Sequence, residues 1–468
     1  MFDQFILPVL ALLPFLFVVP VLLLNDKHSF KISVLASAIS LILSICAVYV
    51  GNAAGMSQLQ FSYSYINALG TGLSFQMNDL TQMLVLMTSV VFLAAAISSS
   101  SFIKESKKLY NSLFLLALGS SLGLFLSGSM LFFYVFWEIG EVAMFFIIYV
   151  FGGYDRKYAA VKFLVYSIAA SLMLLIGIIL LYTSVPVPTF ALSQIAASAA
   201  SIPHSTQLLV FVLLALAFMI KIPVFPFHGW LPDAHTEAPT PGSMILAGTL
   251  LKYGGYGLFL LFLIDPVAQH YAMYLAVLFG FSAVYAAFVA IMQNHLKRAI
   301  AYISIIDMGI VAIGLAALNV YGNTGAFYGM LSHGFIISLL FLLAGAIDES
   351  FGTLLINRIR GVAKSVGYVA YIFLFAVFAL IGLPLTTAFV ADIFIFSGAF
   401  TAFGIAGLAP LGAILILAAY LFWILERMFF NTEKHTEPYA SPGAGIKYSA
   451  ALLVLFILSL GIFPFVLI

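Results

Sequence analysis

Residues 218–249 read FMIKIPVFPFHGWLPDAHTEAPTPGSMILAGT, and the first nine of them decide what kind of protein this is. An apolar run leads up to Lys221, its single charge, and Pro223 and Pro226 follow at once. Proline removes a backbone donor and breaks the helical ladder. In lipid the freed carbonyls are tolerated only where protein or water satisfies them. The segment therefore predicts a membrane helix broken inside a bundle, with a wet, functional break beside one buried charge.

The rest of the chain agrees with a lipid environment. Of its 468 residues, 64% are hydrophobic and 7% charged, against roughly 25% charged in a soluble domain. Apolar runs of about 20 residues place helices near 3–24, 30–50, 79–100, 110–128, 131–151, 161–183, 207–226, 242–264, 271–294, 299–318, 324–347, 367–390, 406–430 and 447–467. The expected fold is all-α, a single polytopic membrane domain over 1–468 with about fourteen transmembrane helices. A net charge of +1 provides no field for nucleic acid. Cys46, the only cysteine, excludes internal disulfides and thiolate metal sites and reads as a packing residue. The opening stretch lacks a basic region and a cleavage site, and reads as the first span rather than a signal peptide.

Basic residues test this layout independently, because they collect on one membrane face when the spans are right. Lys27 and Lys31, then Lys104, Lys107 and Lys108, then Arg156, Lys157 and Lys162 fall together. So do Lys297 and Arg298, then Arg358, Arg360 and Lys364, then Arg427, Lys434 and Lys447. Both termini are accordingly expected on the external side of a prokaryotic cytoplasmic membrane. Of the 18 Lys and Arg residues, only Lys221 and Lys252 are left within spans, where a charge costs several kcal/mol.

Two connections exceed the usual short loop. Residues 59–65 and 73–77 flank Gly70-Thr71-Gly72, which predicts a small external β-hairpin with a capping role. Residues 190–201 predict a short interfacial helix. A second break is expected at Gly382-Leu383-Pro384, about two turns before Asp392. Breaks in matching spans of two halves point to inverted repeats with an ion path through the bundle centre, here spans 110–264 and 271–430. By position, Glu138 then matches Asp307, Lys221 matches Asp392, and Lys252 matches Glu426.

Glu138 and Glu141 share one helical face, and both stay ionised in low dielectric only if a lysine such as Lys221 holds one of them. Lys252, His333 and Asp307 complete an alternation of acids and bases in apolar spans, where each polar side chain must find a partner. A carboxylate approaching or leaving a buried lysine switches whether the amine keeps its proton. Glu138 against Lys221 is the expected switch, with the proton passing to Lys252 and His333 and leaving by Asp392.

Residues 218–249 closely resemble the seventh-to-eighth helix signature of the antiporter-like, proton-translocating subunits of respiratory complex I. The resemblance extends to FFYVFWE ending at Glu138, KRAIAYISIIDMG from Lys297, SHG at His333 and GLP at Gly382, and so covers most of the chain. It implies that Glu138, Lys221 and Lys252 are the fifth-, seventh- and eighth-helix residues of a proton path. It also implies that the subunit holds no redox cofactor; no metal is expected either, because the His and acid spacing in residues 228–237 matches no standard zinc pattern. Its partners would be other membrane subunits and a separate hydrophilic redox arm. Asp307 stands where many members have histidine, and Asp392 where they have lysine or glutamate; the acid at Asp392 fits the M-type subunit. Related hydrogenases, the F420H2 dehydrogenase and multisubunit sodium/proton antiporters share the signature, so the electron donor and the coupling ion stay open.

Blander readings stand beside these. Lys221 and Glu138 could form an ion pair that merely locks two helices, Lys252 could snorkel to a helix end, and Asp392 could cap a half-helix. Glu141 could hydrogen-bond passively to a neighbouring helix. Residues 228–237 read as a proline-shaped loop, although Asp233, His235 and Glu237 there would be the cluster of an intramembrane enzyme. A self-contained secondary transporter is the remaining alternative.

Overall fold

A computed structural model of the chain describes residues 2–54, 59–66, 71–431 and 441–467. Gly70 of the expected hairpin turn and Lys434 of the basic set lie outside them. Among the described residues, fourteen helices are long and apolar enough to cross a membrane. The first half comprises α1 (Phe2–Leu23), α2 (Ser29–Ala54), α3 (Thr81–Phe102), α4 (Lys107–Leu126), α5 (Met130–Phe151), α6 (Arg156–Ser184) and the short α7 (Leu192–Ser198). Next come α8 (His204–Lys221), α9 (Leu231–Glu237), α10 (Thr240–Ile245), α11 (Leu251–Ile264) and α12 (Pro266–His270). The remainder is α13 (Ala272–Ile291), α14 (Leu296–Ala316), α15 (Val320–Phe351), α16 (Val362–Ser365), α17 (Gly367–Leu380), α18 (Thr387–Phe403), α19 (Leu411–Ile424) and α20 (Ala444–Ile462).

A membrane bundle needs a layer shielded from lipid before it can hold charge. α15 supplies it: its central stretch is wholly buried, and the helix packs on α3, α10, α14, α18 and α20. α10, α11 and α14 are nearly as enclosed, whereas α1, α6, α18 and α20 present apolar side chains outward. Cys46 is on the outward side of α2 and not in the packing. Loops carrying the basic residues meet at one end of the bundle: Lys108 N donates to Asp26 Oδ1 at 3.1 Å, Asp155 N to Glu237 Oε2 at 2.9 Å and Asn357 N to Asn294 Oδ1 at 3.1 Å. At the other end β1 (Gln60–Ile66) pairs antiparallel with β2 (Thr71–Gln76). Ser74 O accepts from Gly128 N at 3.0 Å, so the hairpin covers the α4–α5 connection.

The break after Lys221 forms where the prolines predict it, and protein groups pair much of the backbone around it. Pro223 has no N–H for Met219 O, so Val224 N turns back to that carbonyl at 3.1 Å. The carbonyl of Ile220 receives the Trp230 indole N–H at 3.0 Å, and Phe225 N donates to Ser282 Oγ at 2.9 Å. A freed backbone group in lipid must be paired, and here each of these is. Residues 231–237, expected as loop, form α9, because Pro232 sits in the first turn, where a missing N–H costs nothing. Trp230→Phe keeps the ring but orphans Ile220 O. It should cost about 1–3 kcal/mol, read as a lower thermal midpoint of the solubilised chain.

Span twelve differs from expectation in extent. α17 rises only about 21 Å at 1.5 Å per residue, short of a core of about 30 Å. The chain therefore turns at Gly382 (φ +84°) and continues as α18 to Phe403, well beyond residue 390. The eighth span hides a feature that the sequence did not announce, a π-helical turn at Leu246–Leu250 between α10 and α11. A second π-helical turn, Leu425–Phe430, ends span thirteen. Glu426 lies in it and is exposed, which removes it from the buried set.

Candidate functional site

The last turn of α8 places Lys221 where the helix stops, so its ammonium points sideways into the bundle. Glu141 of α5 meets it, with Nζ to Oε1 at 2.7 Å and side chains 2% and 4% exposed. Rings of Trp137, Phe163, Trp230 and Tyr253 surround the ammonium at 5.2–5.9 Å from their centroids, adding cation–π attraction in a dry setting. Gly254 permits this closeness, since a Cβ there would meet Ile222 N at 2.8 Å and Lys221 Cβ at 2.9 Å. The expected partner was Glu138. Instead Glu138 is turned to the half-buried flank of α5, and its Oε1 has no hydrogen-bond partner among the described residues.

Lys252 enters from the first turn of α11 and is completely buried, not snorkelling. Its ammonium binds His333 Nδ1 at 2.6 Å and the Ala247 carbonyl, inside the π-helical turn, at 2.6 Å. When Lys252 is protonated it can only donate, and in that state His333 Nδ1 accepts and the imidazole proton sits on Nε2; a neutral amine can accept from Nδ1–H instead. Tyr253, next in sequence, turns its ring to Lys221 and its hydroxyl to Ser121 at 2.8 Å. One strip of helix thus touches both lysines.

Asp307, Asp392, His333 and Ser332 line one cavity between α14, α15 and α18. The cavity has a volume of about 30 Å³, room for a water with polar partners on several sides. Asp392 reaches it from the broken span, where a Cβ on Gly382 would lie 3.1 Å from Asp392 Oδ2. Asp392 also borders a groove of about 520 Å³ on the outer flank of α18 with Phe389, Phe396 and Phe400. The structure therefore brings six of the seven residues singled out above into two clusters, Glu141 with Lys221, and Lys252 and His333 with Asp307 and Asp392. Glu138 joins neither.

Asp233, His235 and Glu237 do not form a cluster. Asp233 is clamped between Lys162 (2.7 Å) of α6 and Arg298 (2.7 Å) of α14, His235 stacks on Phe341, and Glu237 Oε2 accepts from Asp155 N. Sequence reasoning put Lys162, Lys297 and Arg298 on the solvated face. In the structure Lys297 is a third buried lysine and donates to Ala238 O at 2.9 Å. No local signal marks it, because it looks like any basic residue at a helix start.

Comparison with known proteins follows the same lines. The family model described as NADH:quinone oxidoreductase/Mrp antiporter, TM, matches residues 127–416. NAD(P)H-quinone oxidoreductase chain 4 1 of Synechococcus sp. (strain JA-3-3Ab) is 36% identical over 421 residues, 87% of this chain and 79% of the relative. NADH-quinone oxidoreductase subunit M of Rickettsia prowazekii is 34% identical over 481 residues, 99% of this chain and 96% of the relative. A chain of respiratory complex I from Thermus thermophilus superposes with a TM-score of 0.89 at 28% identity, covering 98% of this chain and 96% of that one. The chain belongs to the NADH:quinone oxidoreductase/Mrp antiporter transmembrane family, among its M-type antiporter-like subunits.

Proposed function

We propose that this chain is the proton-translocating membrane subunit of a complex I-like quinone oxidoreductase, driven by electron transfer in a separate hydrophilic arm. One observation carries the reading: two lysines removed from water, each on a single titratable partner, Glu141 for Lys221 and His333 for Lys252. Charges in a bilayer interior are costly and mark ion paths. Nothing in a lipid anchor calls for two such pairs.

Opening the Glu141–Lys221 pair removes the charge that keeps the ammonium protonated, and its proton becomes free to move toward Lys252. His333 takes a proton from Lys252 on Nδ1 and releases the one on Nε2 into the cavity of Asp307 and Asp392. Asp392, at the break of span twelve, is the exit. Glu138, on the α5 flank, acts on the pair through Glu141, with which it interacts electrostatically. Two five-helix repeats, 110–264 and 271–430, frame this path. The broken seventh and twelfth spans and the π-helical turns in the eighth and thirteenth support them. The chain sits in a prokaryotic cytoplasmic membrane with both termini external.

The test uses the assembled complex in proteoliposomes. Lys252→Met retains the stem and loses the amine, and should lower the protons moved per electron pair while electron transfer continues. An unchanged ratio sinks the reading. Uptake of sodium in place of acidification would assign the chain to the antiporter side of its family.

A further inference from the structure

The basic residues that end the spans do not all meet the same surroundings. Around α9 they are answered by acids: Asp233 holds Lys162 and Arg298, and Lys297 shares a vestibule with Glu237 and Asp348. Where α1 ends and α2 and α4 begin, they are not. The segments 24–31 and 103–109 that meet there carry Lys27, Lys31, Lys104, Lys107 and Lys108 against two acids, Asp26 and Glu105. Among the described residues none of these five ammonium groups forms an ion pair.

The lysines are gathered rather than spread along the rim. Lys108 Nζ donates to Leu22 O, at the end of α1, at 3.1 Å, and Lys107 Nζ lies 5.8 Å from the ring centroid of Phe30, in the first turn of α2. Lys27 and Lys31 stand close to that phenylalanine in sequence and are exposed, as is Lys104. Like charges repel, and the two long helices α2 and α4 both start here, where the partial positive charge of a helix disfavours further cations. Neither has an acidic residue in its first turn, and Ser106 makes no side-chain cap on α4. Asp26 Oδ1 accepts from Lys108 N and so answers one amide. Membrane orientation explains an excess of lysines at this end of the bundle. It does not call for their gathering at one corner, for the shortage of carboxylates, or for lysines in the first turn of a helix.

An anion from outside the chain would account for all three, and the flank below the lysines indicates its kind. Leu16 and Leu23 of α1 and Leu35 of α2 are 70%, 79% and 53% exposed, an apolar surface that runs inward from the charged corner. Lysine stems lie along such a surface while their ammonium groups stay at its polar edge. We propose that this corner binds an anionic phospholipid, its phosphodiester held by Lys27, Lys31 and Lys107 and its acyl chains lying along α1 and α2. Lysine clusters beside membrane helices attract anionic headgroups. A soluble phosphate matches the charges but leaves the leucines bare. The site uses none of the proton-path residues and stands whichever ion the chain moves.

The assembled complex in nanodiscs of phosphatidylcholine tests the assignment, with a trace of phosphatidylglycerol bearing a photoreactive acyl chain and adducts mapped by mass spectrometry. A phosphatidylcholine with the same reactive chain runs alongside. Adducts of the anionic probe on residues 16–35 and 104–109 should exceed those of the neutral probe about fivefold or more. The triple variant Lys27→Gln, Lys31→Gln, Lys107→Gln should lose that excess, and the same three positions changed to Arg should keep it. Should the glutamine variant fail to assemble, potassium chloride added to the parental complex gives the same reading, since screening should lower the excess. Equal labelling by the two probes, or an excess that survives both the glutamines and the salt, overturns the proposal. So does displacement of the anionic probe by inorganic phosphate, which assigns the corner to a soluble anion. Cross-links from this corner to an acidic segment of a neighbouring subunit, with no lipid adduct, overturn it as well.

Discussion

Lys221→Ala should both destabilise the bundle and stop this subunit from pumping, and adding Glu141→Gln should restore the first property without the second. The single change leaves a carboxylate 4% exposed without its ammonium. Removing one partner of a buried pair costs about 3–5 kcal/mol unless the survivor neutralises. Glutamine in place of Glu141 removes the stranded charge, so the thermal midpoint of the double variant should return most of the way. The proton-to-electron ratio should stay low in both, because neither contains the titrating amine. A double variant as unstable as the single one would show that Lys221 supports the fold by its aromatic packing rather than by its charge.

Glu141→Gln should exceed Glu138→Gln in its effect on both stability and pumping, the reverse of what the family signature around Glu138 suggests. Glu141 holds the ammonium directly at 2.7 Å. Glu138, half-buried with an unpartnered Oε1, holds no ammonium and shares its side-chain hydrogen bond with Tyr134, which glutamine can keep, so its variant should cost no more than about 1 kcal/mol. Parallel thermal scans and pumping assays of the two variants decide it. Equal losses would mean that the two carboxylates share one proton and work as a unit.

Much of this architecture was legible because lipid imposes simple rules. Spans of about 20 apolar residues, basic loops at one face and prolines after Lys221 each follow from the cost of exposing a polar group to hydrocarbon. The choice between Glu138 and Glu141 was not legible. Three residues along a helix differ by only roughly 60° around its axis, so spacing puts both on one face, and the rotation of α5 is set by its neighbours. The π-helical turn that presents Ala247 O to Lys252 has no residue code. Asp233 finds its partners 71 and 65 residues away, beyond any local pattern. His235 is placed by its stack on Phe341, a contact between distant segments that only the folded chain reveals.

The Asp233 clamp has a further consequence for handling the molecule. Lys162 and Arg298 are both partly open to solvent, so their hold on α9 weakens as dissolved ions screen it, whereas Glu141 and Lys221 are sealed from the medium. In concentrated salt, α9 should be the first segment to exchange its amide hydrogens, with the rest of the bundle still closed.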